Sequence, residues 1–146
     1  MVTEEDARAR IGHLFPGGLA TIEPYADWLL RDVVGSPPAR DDLAHPLAAF
    51  LLATQGLGVD LDDLFALFGT SAADGPLLGE WTVDVIEPLR VGQAYLVSGE
   101  VAGAVRKRGS RAGVFDVVTI AVTIADGSGR PHAIVRPAYV FPRSQP

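Results

Sequence analysis

Cysteine is absent from the 146 residues. Its absence excludes a disulfide framework, thiolate-held zinc and a cysteine nucleophile together. Histidine is scarce. The three residues, His13, His45 and His132, are too far apart for a histidine-rich metal motif, and no metal site is expected. Basic charge is also in deficit, with 12 Lys and Arg against 18 Asp and Glu and a net charge of −6. That balance opposes a dedicated nucleic-acid binder. No apolar run reaches the roughly 18–20 residues of a membrane span. No phosphate-loop motif occurs, and no Gly-x-Gly-x-x-Gly opens a helix. Gly127-Ser128-Gly129 is not a nucleophile elbow, because it joins two strand-like runs. The opening MVTEEDARAR lacks the basic and then apolar order of a signal peptide. The expectation is a single cytoplasmic domain over 1–146 that binds neither nucleic acid nor membrane.

What is present divides into a helical first half and a strand-like second half. Thr3-Glu4-Glu5-Asp6 reads as a capping-box-like helix start. Pro24 and Gly35 bracket a helix over 24–34. Tyr25, Trp28, Leu29 and Asp32 share one face of it, and with Phe50, Phe65 and Phe68 the aromatics read as core. A helix beginning near His45 carries Leu47, Phe50, Leu51, Thr54 and Leu57 at helical spacing, with alanines on its other faces. Such a helix is buried on most sides. A shorter helix follows over 61–68. From Leu77 the pattern becomes four long strands. Glycines in AYLVSGEVAGAV suggest a bulge, and Pro137 suggests an edge strand or a bulge. The economical architecture is α+β, an antiparallel sheet wrapped around one central helix.

Three stretches carry a family resemblance. Ala44-His45-Pro46 opens the central helix. Gly79-Glu80-Trp81 leads into Ile86-Glu87-Pro88-Leu89-Arg90-Val91-Gly92. Lys107-Arg108-Gly109-Ser110-Arg111-Ala112-Gly113-Val114-Phe115 precedes a long strand and an Asp-Gly turn. Over about residues 20–143 the chain resembles the MaoC-like dehydratases, and among them the N-terminal-type half-domain. The resemblance implies the hotdog fold, a curved antiparallel sheet wrapping a long central helix. It implies an (R)-specific enoyl thioester hydratase or 3-hydroxyacyl thioester dehydratase. The substrate would be carried as a coenzyme A or acyl-carrier thioester, with no further cofactor. The family pattern Gly-Asp-x-Asn-Pro-x-His is not reproduced: Gly35-Ser36 stands at its start and no Asn-Pro-x-His follows. The implied role is therefore a subunit that shapes the acyl pocket beside a catalytic hotdog partner. The alternatives are a self-sufficient homodimeric hydratase or acyl thioesterase, and a binding module for acyl thioesters or small hydrophobic molecules.

Hydration of an enoyl thioester needs a base, an acid and donors for the enolate oxygen. His45 with Asp41 or Asp42 is the local acid–base candidate. The plainer reading is that the aspartate caps the helix and His45 bonds backbone at its end. Glu80, with Asp84 on the same strand face, is the candidate carboxylate for thioester hydrolysis, or else a solvated strand residue. Pro46 stands where the family has glycine and has no N–H to offer. Losing one oxyanion donor typically costs about 10²–10³ in rate. The Leu47 amide remains as a donor at the helix start. Arg106, Lys107, Arg108 and Arg111 concentrate basic charge in an acidic chain, and Arg90 follows a Pro-Leu pair. All five are candidates for the phosphates of coenzyme A or for an acidic carrier. The alternative for the first four is a solvated hairpin.

Overall fold

The computed structural model describes residues 2–143. Its helices are α1 (Glu4–Arg8), α2 (Pro24–Val34), α3 (Ala48–Gly56) and α4 (Leu61–Leu67). Its strands are β1 (Gly18–Thr21), β2 (Leu77–Val85), β3 (Ala94–Gly109), β4 (Gly113–Ala125) and β5 (Pro131–Arg143). One antiparallel sheet runs in the order β1-β3-β4-β5-β2. The short strand β1, absent from the sequence reading, forms one edge, and β2 forms the other.

Helix α3 lies against the inner face of this sheet and contacts β1, β3, β4 and β5. Ala48, Ala49, Leu52 and Ala53 are buried. Small residues let the helix approach closely: a Cβ at Gly56 would run into Val97. Opposing them are Val97, Val101, Val118, Ile120, Val122, Ile124 and Val135, all buried, as their alternation along the strands requires. This is the hotdog arrangement.

Local chemistry explains most boundaries. Thr3 and Asp6 form the reciprocal capping box of α1, with Thr3 N–H to Asp6 Oδ2 at 2.7 Å and Asp6 N–H to Thr3 Oγ1 at 3.1 Å. Gly35 ends α2 in the left-handed region, at φ 67°. The glycine-rich bend of β3 is a bulge between Val101 and Gly103.

Three expectations are corrected. The central helix starts at Ala48 rather than near His45. Residues 45–47 form a tighter turn, with Ala48 N–H bonded to the His45 carbonyl and Ala49 N–H to that of Pro46. Pro137 lies in an interior strand. It stands opposite Trp81 of β2, and the β4–β5 pairing skips from Thr119↔Ala138 to Val122↔Val135 beside it. Phe65 and Phe68 are core, but Tyr25 and Trp28 are 67% and 62% exposed. The buried residue of α2 is Asp27.

Candidate functional site

A cavity of about 550 Å³ opens beside the turn that leads into α3. Pro37, Pro38, Leu43 and Pro46 from the α2–α3 loop face Val85 at the end of β2 and Pro88 and Leu89 beyond it. Arg31 and Arg40 are its charged members. The loop is stitched to the opposite wall by backbone bonds. Ala44 N–H donates to the Leu89 carbonyl at 2.9 Å, and Val91 N–H to the Asp42 carbonyl at 2.8 Å.

A buried ion pair fixes the same loop to α2. Asp27 Oδ2 accepts from Arg31 Nε–H at 2.7 Å, one helical turn away. Asp27 Oδ1 accepts from the His45 backbone N–H at 2.6 Å. The rest of the Arg31 guanidinium donates to the carbonyls of Pro37 at 3.2 Å and Leu43 at 3.0 Å. The planar fork of arginine suits this work, because one group meets three acceptors.

The far wall has its own anchor. The β4–β5 pairing shifts register so that His132 is an extra residue between Ala133, opposite Ile124, and Pro131, opposite Ala125. A bulge re-aims its side chain. The imidazole Nδ1 lies 3.0 Å from the Pro88 carbonyl and Nε2 lies 3.2 Å from Asp126 Oδ2. The ring meets buried Tyr95 edge-on. Tyr95 in turn accepts from the Arg90 backbone N–H at 2.8 Å. The Ser128 hydroxyl, with help from the Arg130 and Ser128 amides and His132, holds the Asp126 carboxyl well below the usual range against a smaller opposing desolvation.

The catalytic candidates from the sequence do not assemble here. Asp41 and Asp42 are exposed, and neither side chain hydrogen-bonds to His45 or caps α3, whose start has no side-chain cap. Asp41 instead takes a left-handed turn conformation, φ 58°. His45 bonds backbone: its Nδ1 accepts from Leu47 N–H at 3.2 Å. That bond engages the amide expected to serve as an oxyanion donor. Glu80 stands on the outer face of the sheet, opposite Ala138, while neighbouring Trp81 turns inward onto Phe50. Asp84, on the same outer face, pairs with Arg136 at 2.6 Å. Neither carboxylate belongs to the cavity.

The basic candidates separate into three groups. Arg106 is engaged internally: it pairs with buried Asp116 through Nε at 2.7 Å and Nη2 at 3.0 Å. Lys107, Arg108 and Arg111 are exposed at the β3–β4 turn. That turn adjoins Val114, whereas the cavity end of the sheet adjoins Ile124. Ten strand residues, about 33 Å, separate the two ends. Arg90 is exposed beside the cavity wall. Asp27, Arg31 and Arg40 escaped the sequence reading. The i, i+4 spacing of Asp27 and Arg31 was the available signal for the first two. Nothing local marks Arg40.

No family model matches the sequence, and no curated protein matches it. Solved structures do resemble this chain. The ChsH1-ChsH2 complex from Mycobacterium tuberculosis superposes at a TM-score of 0.70, with 15% identity, covering 98% of this chain and 94% of that one. The C-terminally truncated HadBC (3R-hydroxyacyl-ACP dehydratase) complex from the same organism gives 0.70 and 11%, covering 90% and 96%. A MaoC-like dehydratase from Rhodospirillum rubrum gives 0.59 and 15%, covering 92% and 94%. At these identities the likeness is one of fold. Two of these hotdog neighbours are complexes of two different chains. Among the described residues, no helix is long and apolar enough to cross a membrane.

Proposed function

We propose that this chain is the pocket-forming subunit of an (R)-specific enoyl thioester hydratase or 3-hydroxyacyl thioester dehydratase, with a second hotdog chain bringing the catalytic acid and base. One observation carries the reading: an apolar cavity lies at the start of the central helix, and among the described residues no carboxylate or imidazole lines it. The wall chemistry suits an acyl chain. The oxyanion position is also incomplete, since Pro46 has no N–H and Leu47 N–H already donates to His45. Two neighbours of the same fold are complexes of two different chains, one of them a 3R-hydroxyacyl-ACP dehydratase, which supports a two-chain assembly.

Addition of water across an α,β double bond is redox-neutral, so the reading invokes no cofactor beyond the thioester carrier. Arg40 lines the cavity and Arg90 follows its wall residue Leu89; both are exposed, and in this reading they are the contacts for the phosphates of coenzyme A. Lys107, Arg108 and Arg111 stand at the other end of the sheet and are not part of this site.

The test is turnover of crotonyl-coenzyme A, followed by the loss of enoyl absorbance. Hydration is expected from the chain together with its co-purifying hotdog partner and from neither alone. Full turnover by this chain alone, abolished by His45→Ala, would establish the homodimeric enzyme instead. Tight thioester binding without turnover in any pairing would identify a binding module.

A further inference from the structure

His132 sits in a hydrogen-bond arrangement that only one charge state satisfies. Its side chain is 13% exposed. Nδ1 lies 3.0 Å from the Pro88 carbonyl and Nε2 lies 3.2 Å from Asp126 Oδ2. A carbonyl oxygen accepts and cannot donate, and the same holds for an ionised carboxylate. Asp126 is ionised, since the Ser128 hydroxyl and the Arg130 and Ser128 amides hold its carboxyl well below the usual range. A neutral imidazole carries one N–H and serves one of the two oxygens. The imidazolium donates from both nitrogens and serves both. The other groups around the ring do not change this count. Tyr95 of β3 meets it edge-on, and burial raises the phenol, which stays neutral. Glu87 is taken up by Arg130 at 2.6 Å. The Arg90 side chain is exposed, and its amide is bonded to Tyr95.

What His132 holds is the far wall of the cavity. Its carbonyl accepts from the Ile86 and Glu87 amides at 2.8 and 3.0 Å, and its ring reaches the Pro88 carbonyl. Pro88 and Leu89 line the cavity, and the Leu89 carbonyl takes the bond from the Ala44 amide across it. The two backbone bonds from residue 132 are indifferent to pH. The ring bond is not. We infer that the His132–Pro88 contact is a protonation-dependent latch on the cavity wall, made by the imidazolium and released when the ring becomes neutral. The one remaining proton stays with Asp126, because a bond to a carboxylate is roughly twice as strong as one to a neutral oxygen. Nδ1 then turns a lone pair toward the lone pairs of the Pro88 carbonyl, a half-buried acceptor loses its donor, and the Pro88–Leu89 wall moves off the ring. The latch is closed at low pH and opens as pH rises. It holds whether or not the chain is a hydratase subunit.

The experiment is a nuclear magnetic resonance titration of the nitrogen-labelled full chain from about pH 5 to 9, a range that spans the charge change of histidine side chains. At the acid end both ring nitrogens of His132 are expected to carry protons. As pH rises, Nδ1 should lose its proton while Nε2 keeps one, and the Leu89 and Ala44 amide signals should shift with the same midpoint. Asp126→Asn reverses the outcome. Its carboxamide keeps the oxygen that accepts from the Ser128 and Arg130 amides and offers an N–H to Nε2. The neutral ring then donates from Nδ1 to Pro88, and the latch stays closed at high pH. In that variant the Leu89 and Ala44 amides should lose their pH response. At about pH 8.5 the Ala44 amide should exchange with solvent roughly tenfold more slowly than in the wild type, the worth of about one hydrogen bond. A His132 ring with one bare nitrogen from the acid end onward would overturn the inference. So would a ring that titrates while the Leu89 and Ala44 amides stand still, or an Asp126→Asn wall that responds to pH as the wild type does. The wild-type titration decides alone if the variant does not fold.

Discussion

Asp27 is the residue on which the entry to the central helix depends. Its carboxylate, 3% exposed, holds the His45 amide and the Arg31 side chain, and Arg31 holds two loop carbonyls. Removing one partner of a buried pair leaves the other charge uncompensated. Asp27→Ala is therefore expected to destabilise the chain by about 3 kcal/mol, read from the urea midpoint at constant m-value. His45 contributes less. Its ring gives up one neutral bond to Leu47 N–H, so His45→Ala should cost only about 1 kcal/mol. Turnover by the two-chain assembly should survive that substitution. Loss of turnover would return His45 to the chemistry.

At the scale of elements, α3 sets the tolerance of the fold. Its last residue, Gly56, meets Val97 of β3 where a Cβ would stand. Alanine offers up to about 1 kcal/mol of helix propensity, and less at a helix end. Overpacking a close helix–sheet contact costs about 1–3 kcal/mol. The second effect wins, so Gly56→Ala should lower stability by about 1–2 kcal/mol in equilibrium denaturation. An increase would mean that β3 yields freely there. The same closeness explains why alanines, rather than larger residues, face the sheet from α3.

Across the whole molecule, Asp116 ties together what the chain order keeps apart. It is fully buried on β4 and pairs with Arg106 of β3 and Arg143 of β5. Those guanidiniums also reach the carbonyls of Val2 and Phe68, at 3.0 and 2.9 Å. Burial alone would push this carboxyl up, but hydrogen bonds from the two arginines outweigh it and hold the group below its ordinary value. A carboxyl depressed by folding stabilises fully above the unfolded pKa, about 3.9, and loses that contribution as pH falls through the folded value. Asp116→Ala should cost about 3 kcal/mol near neutrality and make stability less dependent on pH below about 4. Acid titrations of both proteins by circular dichroism check this, and an unchanged acid limb would refute it.

The α+β class, the boundaries of α2 and the order of four long strands were legible in the sequence, because periodicity, capping residues and turn residues act over a few neighbours. So was the bulge in the glycine-bearing part of β3. The short strand β1 was not legible, since four residues become a strand only by pairing with β3. Nor was the orientation of α2. Tyr25, Trp28 and Leu29 read as a core-facing surface, yet they are exposed, while Leu30 packs on the core and Asp27 turns inward under the His45 amide. Distance along the sheet also lies beyond local reading. Lys107, Arg108 and Arg111 look like partners of a thioester site until the strand ladder puts them at the opposite end from the cavity. Sequence patterns report which residues share a face of one element. Which face looks inward, and which ends of different elements meet, is decided by the packing of all of them together.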